Sequence, residues 1–348
     1  MGICIVGHFG GNKAFNDGQT VKTITTYNAL RDVGITDIDK VDTYYIKRNP
    51  FRFLFLLTRG LLRDQKFILL LSINGRRVLF PVFYYASKLL GKEIYHYAIG
   101  GRLADEASQN AKIKKYISSF SGNWVESHYI VQKLNNINVM NAVYVPNFKR
   151  LKIMSADELP TTFTRPYKLC TFSRVMPEKG IEDAIQAIQT VNQNLGRKIV
   201  TLDIYGPIAV GYENDFKRCI EESQGTCRYC GVVSANRSVE TLKDYFLLLF
   251  PTRWFAEGMP GTIIDAFSAG VPVIARDWKY CREMIIDQKT GFIYPFEKPE
   301  RLSDLIFYAI QHVDLIKQMR VNCLHEANKY SEHTVIKKIK QLMNLEEC

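Results

Sequence analysis

Short apolar runs alternate with segments of helical spacing along the whole chain. Ile3 to Gly7 is apolar and closes on glycine, and Gly10-Gly11 follows. From Thr20 to Leu30 the residues Val21, Ile24, Tyr27 and Leu30 then share one helical face. Strand, glycine-rich turn and helix in that order open a βα unit of nucleotide-binding type. Further apolar runs lie at Phe67–Leu71, Glu93–Ala98, Trp124–Val125 and Ala142–Val145, with helical patterns such as Val78–Leu90 and Ala111–Phe120 between them. This alternation predicts a parallel sheet covered by helices.

Residues 151–166 break the rhythm with two prolines, polar residues and little periodicity, and read as a linker. A second series of strands follows, at Lys168–Phe172, Ile199–Tyr205, Arg228–Val232, Phe246–Phe250, Val271–Ala275 and Gly291–Tyr294, again with helices between. The expected organisation is an α/β chain of two domains, 1–150 and 167–325. Residues 326–348 are expected to form a C-terminal helix that returns toward the first domain. Two open sheets joined by one linker leave a cleft at the carboxyl ends of their strands, where sheets of this class bind ligands.

Composition adds size and partner class. The 348 residues are 47% hydrophobic and 23% charged, enough apolar material for two cores. No run of 18 uncharged apolar residues occurs, so no membrane-spanning helix is predicted. The opening MGICIVGHFGG lacks a charged n-region followed by a long apolar stretch, so no signal peptide is expected. The eight cysteines are scattered without framework spacing, which fits reduced thiols and a cytoplasmic protein, at most peripheral at the inner face of a membrane. Charge is uneven. Residues 1–150 hold 21 Lys and Arg against 10 Asp and Glu and carry the whole +11, whereas residues 151–348 hold 25 of each. An anionic partner for the first half follows, or a surface basic only for solubility. Within it, Lys47 to Leu57 interleaves cations with bulky apolar residues. An interfacial segment on an anionic membrane has that pattern, and so does a buried helix with a basic outer face. A pI of 9.1 raises nucleic-acid binding as a non-enzymatic alternative, but no RRM, KH, zinc-finger or RNP pattern accompanies it.

The chemistry concentrates in the second half. Phe172 to Gly180, FSRVMPEKG, follows a strand and precedes a helix, so Arg174 and Lys179 share one loop beside a helix N-terminus. Two cations with unpaired backbone N–H groups suit a diphosphate, although a basic pair on a loop, taken alone, is more often solvated surface. Glu257 to Gly261, EGMPG, places an acid before two glycines and a helix start, and Asp265 lies eight residues on. A carboxylate there can accept from sugar hydroxyls, or simply cap the helix. Asp37-Ile38-Asp39 imitates a DxD metal motif and lies far in sequence from these loops. Cys227 and Cys230 lack a second Cys or His pair, so no metal site is predicted.

Taken in order, these pieces resemble glycosyltransferase family 4. They are Gly10-Gly11, Val145-Pro146-Asn147, Ser173-Arg174 through Lys179-Gly180, and Tyr205-Gly206. Gly231-Val232, Pro251-Thr252, Glu257 through Asp265, Ala269 to Val273 and Thr290-Gly291 complete them. The resemblance implies a GT-B fold, two Rossmann-like domains facing a central cleft. It also implies retaining transfer of a sugar from a nucleotide diphosphate sugar, without metal or other cofactor. Arg174 and Lys179 then neutralise the donor diphosphate, and Glu257 contacts hydroxyls of the donor sugar. Asp265, standing where the family has its second glutamate, reaches the ribose. Gly258, Met259, Pro260, Gly261 and Thr262 supply donor contacts, joined by Gly10, Gly11, Gly206 and, more loosely, Glu283. His96 ends a strand of the first domain where related enzymes place a cleft histidine; a core or rim position fits it as well. His8 and the segment Gly100-Gly101-Arg102 are weaker candidates near the same cleft. A sugar-nucleotide epimerase shares this architecture and is the competing enzyme class. A lipid-linked saccharide acceptor, in surface-polysaccharide or glycan synthesis, is the favoured partner.

Overall fold

A computed structural model describes residues 2–11, 13 and 17–345. The chain divides into two compact units, Met1–Asn147 with Glu332–Cys348, and Phe148–Ser331. The division falls at 147/148 rather than across a linker. Residues 151–166 belong to the second unit, where the Met154 N–H donates to the Ser268 carbonyl at 3.0 Å and Phe163 packs edge-on to Phe246. Low periodicity there reflects an irregular packed segment. Glu332–Leu342 is a helix that groups with the first unit and packs against the helix Gly18–Asp32.

The first unit is a six-stranded parallel sheet: β1 (Ile3–Gly7), β2 (Ile38–Asp42), β3 (Lys66–Leu70), β4 (Glu93–Tyr97), β5 (Gly122–Val125) and β6 (Ala142–Tyr144), in the order β2-β1-β3-β4-β5-β6. All five residues of β1 and of β3 are buried, as in a sheet covered on both faces. The edge strand β2 has no counterpart in the hydrophobic pattern, because Ile38 and Val41 are its only apolar residues. The Asp37 and Asp39 of the apparent DxD motif lie at this edge, and Arg63 and Arg59 pair with them.

The second unit repeats the plan with β7 (Tyr167–Phe172), β8 (Val200–Tyr205), β9 (Cys227–Gly231), β10 (Leu247–Phe250), β11 (Val273–Arg276) and β12 (Gly291–Tyr294). Their order is β12-β11-β10-β7-β8-β9, all parallel. The chain lays down β7, β8 and β9 in one direction, then returns to the other side of β7 for β10. The point of reversal lies between β7 and β10, where open parallel sheets leave a crevice. Cys227 and Cys230 sit on β9, and every cysteine among the described residues is a free thiol.

One buried acid makes the fold pH-sensitive. Asp64, fully buried after the helix Pro50–Arg63, is pushed up to about 6 by burial and then by the nearby Asp39 charge. In the unfolded chain an aspartate ionises near pH ~3.9. The native state therefore holds this proton over an interval in which the unfolded state has lost it. Stability from this residue falls as pH climbs through that interval and stays lower above it. Asp64→Asn should raise the thermal midpoint by a few degrees at pH 7.5 and by less at pH 4.5. Equal losses at both pH values would show instead that the carboxylate itself is needed.

Candidate active site

The parallel pairing of Leu247 with Leu169 and Leu248 with Cys170 brings the loops after β7 and β10 side by side. Both are tied down. Val175 is buried and exchanges backbone hydrogen bonds with the segment after β8, donating to Pro207 and accepting from Ala209. Gly206 has φ of 134°, and a Cβ there would overlap the Ser173 carbonyl. Gly180 has φ of 68°, and a Cβ there would overlap the Pro251 carbonyl. These glycines are required because only a residue without Cβ accepts both the backbone angle and the approach. On the other loop the Arg253 N–H donates to the Glu178 carbonyl at 2.8 Å, and the Arg253 side chain pairs with Asp183 and Glu182. Trp278 Nε1 donates to the Gly258 carbonyl.

This scaffold joins two of the predicted residues. Lys179 Nζ donates to Glu257 Oε2, and the two side chains are only 17% and 18% exposed. Arg174 is exposed on the same loop as Lys179; its carbonyl accepts from the Ser173 hydroxyl, and its guanidinium has no hydrogen bond or ion pair among the described residues. Gly258, Pro260, Gly261 and Thr262 are partly buried and Met259 is buried, leading into the helix Gly261–Ser268. No side chain caps that helix, and its first-turn amides extend the positive end of the dipole. The Thr262 hydroxyl is buried and lacks a hydrogen-bond partner among the described residues. Glu283 sits on the short helix Cys281–Met284 after β11, the strand next to β10.

Asp265 is placed differently from what the resemblance implies. It is 2% exposed, and both its oxygens accept from Lys149 Nζ, at 2.7 and 2.6 Å. Ser238 Oγ adds a third bond at 2.8 Å. Burial pushes this carboxyl up, against the opposing pull of Lys149 and Ser238. The acid is thus a buried internal anchor, with both oxygens already engaged within the unit. Lys149 and Ser238 were not singled out in the sequence. The one signal for Lys149 is its place just after Val145-Pro146-Asn147. Its stem runs over Gly261, within 3.4 Å of where a Cβ would stand.

The other candidates lie in the first unit. His96 is corrected to a core residue: it is fully buried in β4, edge-on to Phe80 at 4.9 Å. Burial, reinforced by the Arg76 charge, holds its imidazole well below the usual range and so neutral. No sugar reaches it without unpacking the sheet. Gly10 and Gly11 lie in the loop after β1, which a residue missed by the sequence reading organises. Asp42, at the end of β2, accepts from the N–H groups of Phe9, Gly11 and Tyr44 at 2.8–2.9 Å. The Gly11 amide is therefore committed to Asp42 rather than open to a donor. At the carboxyl ends of β1, β2 and β3 lies a cavity of about 460 Å³ lined by His8, Gln19, Tyr44, Lys47, Arg48 and Ser72 among others. His8 Nδ1 is 2.6 Å from the Thr20 hydroxyl, which donates to Asp17.

Two six-stranded parallel sheets of this order, each with helices between its strands, make the GT-B fold of two Rossmann-like units. Residues 159–324 match the family described as Glycosyl transferases group 1, which supports an enzyme of glycosyl transfer. Over 154 residues, 43% of this chain, it is 32% identical to the UDP-N-acetylglucosamine–peptide N-acetylglucosaminyltransferase GtfA subunit of Streptococcus gordonii and covers 29% of that protein. The amylovoran biosynthesis glycosyltransferase AmsK of Erwinia amylovora is 21% identical over 216 residues, 60% of this chain and 50% of that one. The chain thus spans half or less of the curated relatives it matches. Among solved structures, Anabaena HepE in complex with UDP shares the fold with a TM-score of 0.73, over 99% of this chain and 100% of that one, at 14% identity.

The Lys149–Asp265 pair gives a stability test. Removing one partner of a buried ion pair strands the other, at a cost on the order of 3–5 kcal/mol. Lys149→Met should approach that cost in chemical denaturation, and adding Asp265→Asn should recover part of it. A double variant as unstable as the sum of its parts would show that the two side chains do not interact.

Proposed function

We propose that the protein is a retaining glycosyltransferase that moves a sugar from a nucleotide diphosphate sugar to a saccharide acceptor. The observation that carries the reading is the contact of Lys179 with Glu257, beside the unpaired Arg174, at the switch point of a glycosyltransferase group 1 domain. A cation in contact with a carboxylate can hold a diphosphate and a sugar hydroxyl next to each other, which is what a nucleotide sugar presents. HepE was solved with UDP and with UDP-glucose, and GtfA is named for transfer from UDP-N-acetylglucosamine, which favours a uridine donor here.

When the donor enters, its diphosphate competes with Glu257 for Lys179 and takes Arg174 as a second cation. The amides at the start of Gly261–Ser268 add the positive end of a helix. Glu257, released from the lysine, accepts from donor-sugar hydroxyls. The bond from the anomeric carbon to the phosphate oxygen breaks as the acceptor hydroxyl forms its bond on the same face. The departing phosphate oxygen takes the hydroxyl proton. Charge develops on the diphosphate in this step, so Arg174 and Lys179 stabilise the transition state more than the ground state, with no metal required. The cavity beside His8, Lys47 and Arg48 is the acceptor site in this reading, and its two cations suit a lipid-linked saccharide phosphate. The name of AmsK supports a place in surface-polysaccharide synthesis.

A thermal-shift panel of UDP-, GDP-, ADP- and CMP-sugars identifies the donor. At about 1.5–3 kcal/mol per charged hydrogen bond, Arg174→Ala or Lys179→Ala should lower kcat/KM by roughly 10- to 150-fold. Both should also weaken binding of the nucleoside diphosphate. Glu257→Gln should lower transfer comparably yet leave nucleoside diphosphate binding as tight or tighter, because it removes the competitor for Lys179. Unchanged transfer in both Arg174→Ala and Glu257→Ala would defeat the site assignment. Release of epimerised free sugar without acceptor would select epimerase chemistry instead.

A further inference from the structure

We infer that the outer face of the helices Pro50–Arg63 and Ile73–Leu90 docks on an anionic lipid bilayer. The first of these helices has two apolar faces. Phe53, Leu57 and Gly60 are buried, and Gly60 lies close to the Cys4 sulfur of β1. Phe51, Phe55 and Leu62 point the other way with Thr58 between them, spaced i, i+4, i+7 and i+11 on a single stripe. Phe51 is 87% exposed and Leu62 is 82% exposed, and Leu54 borders the stripe.

The helix Ile73–Leu90 repeats the arrangement. Its buried side carries Leu79, Phe80, Phe83 and Ala86. Its exposed side carries Val78, Val82, Tyr85 and Leu89 at the same i, i+4, i+7, i+11 spacing, with Leu89 76% exposed. Both helices lie on one face of the sheet. Cys4 and Phe67 are register partners on β1 and β3, so their side chains leave the sheet on the same side. Cys4 meets Gly60 of the first helix, and the Phe67 ring packs on Phe83 of the second, with centroids 5.3 Å apart. Two parallel reasons agree, since the crossovers β2 to β3 and β3 to β4 run in the same direction across the sheet and are expected to share a hand.

Charge selects the occupant. From Lys47 to Leu90 the only acid is Asp64, which is buried. Seven Lys or Arg in this stretch are exposed. Arg52, Arg59 and Arg63 run along one edge of the first stripe, and Arg77 and Lys88 flank the second. Arg59 and Arg63 are partly satisfied by Asp37 and Asp39, and the excess remains positive. Two copies of this face packed on each other would oppose cation to cation, which disfavours self-association. A duplex groove offers nothing to two aliphatic and aromatic stripes. A bilayer surface satisfies both, with anionic headgroups for the arginines and the acyl boundary for the stripes. No helix among the described residues is long and apolar enough to cross the membrane, so this contact lies on the surface. The cavity lined by Lys47, Arg48 and Val78 opens next to these helices, so docking would bring the proposed acceptor site to the membrane. The docking itself stands independently of that assignment.

The test is flotation of the full chain with phosphatidylcholine vesicles, with and without phosphatidylglycerol. Wild type should float with the anionic vesicles at low salt and largely dissociate near 1 M, where the screening length falls to about 3 Å. The variant Phe51→Ser/Phe55→Ser/Leu62→Ser and the variant Arg52→Glu/Arg77→Glu/Lys88→Glu should each lower partitioning at least tenfold. Both should keep the wild-type thermal midpoint and transfer to a water-soluble acceptor. Wild type that fails to float overturns the inference. So does flotation untouched by the serine variant and equally competed by duplex DNA, which would mark a general polyanion surface. A dimer in light scattering that the serine variant dissolves, without vesicle binding, would assign the face to a second copy. Loss of soluble-acceptor transfer in Arg174→Ala with flotation intact separates this question from the catalytic reading.

Discussion

The parallel pairing of β7 with β10 is the constraint on which the candidate site depends. Residues 174 and 179 belong to one βα unit and residue 257 to another, and no local signal joins them. Strand order does so, because β8 and β9 extend one edge of the sheet and the chain must return past β7 to continue. The two loops then leave neighbouring strands in the same direction. Gly180 lets them close to backbone contact with Pro251, nearer than any side-chain-bearing residue would permit. That closeness puts the Lys179 ammonium on the Glu257 carboxylate. Arg253, held by Asp183 and Glu182, fixes the second loop from the opposite side. The pair is therefore preorganised by packing rather than by its own attraction, which between partly exposed charges is modest.

Two lysine–carboxylate pairs in this unit have similar chemistry and opposite consequences. Lys179 and Glu257 each retain some solvent contact, which on the proposed reading lets a diphosphate replace the carboxylate. Lys149 and Asp265 are different. Asp265 is sealed, its oxygens take three donor contacts, and separating the pair would leave a bare buried charge. The shorter aspartate matters here. One fewer methylene keeps the carboxylate close to its own helix, within reach of Ser238 and Lys149. The pair holds the first turn of Gly261–Ser268 in place, and a rigid helix start is what backbone amides need to meet an anion.

Much of this was legible in the chain. Five strands of the second unit stand out as apolar runs because they are largely buried, whereas the edge strand β9 keeps Arg228 and Tyr229 exposed, and the loops with Arg174, Lys179 and Glu257 fall between the strands. What stayed hidden has specific causes. Asp42, Ser238 and Lys149 act through partners distant in sequence, where a hydrogen bond leaves no spacing pattern. The β2 edge carries too few apolar residues to register as a strand. His96 was misplaced for the opposite reason. In Ile94-Tyr95-His96-Tyr97 every residue is buried, so no alternation indicates which side chain faces a ligand and which faces the core. Residues 151–166 read as a linker because packed irregular backbone and free coil share a composition.

The segment from Lys47 to Leu90 shows how burial resolves what composition leaves open. A helix apolar on nearly every side is normally a buried one, and arginines scattered through it normally belong to a solvated face. The structure assigns each residue to one role. Phe53 and Leu57 belong to the core and Phe51, Phe55 and Leu62 to the outside. Arg76, although charged, is buried and paired with Glu106, so it contributes nothing to the outer field. Subtracting such internal pairs leaves the first unit with a localised surplus of cations on an apolar ground. The nearly balanced second unit has most of its charges engaged with one another. On the proposed reading, long-range attraction to an anionic surface and short-range grip on a diphosphate would reside in different units. Salt can screen the first strongly while leaving the partly buried Lys179 less affected.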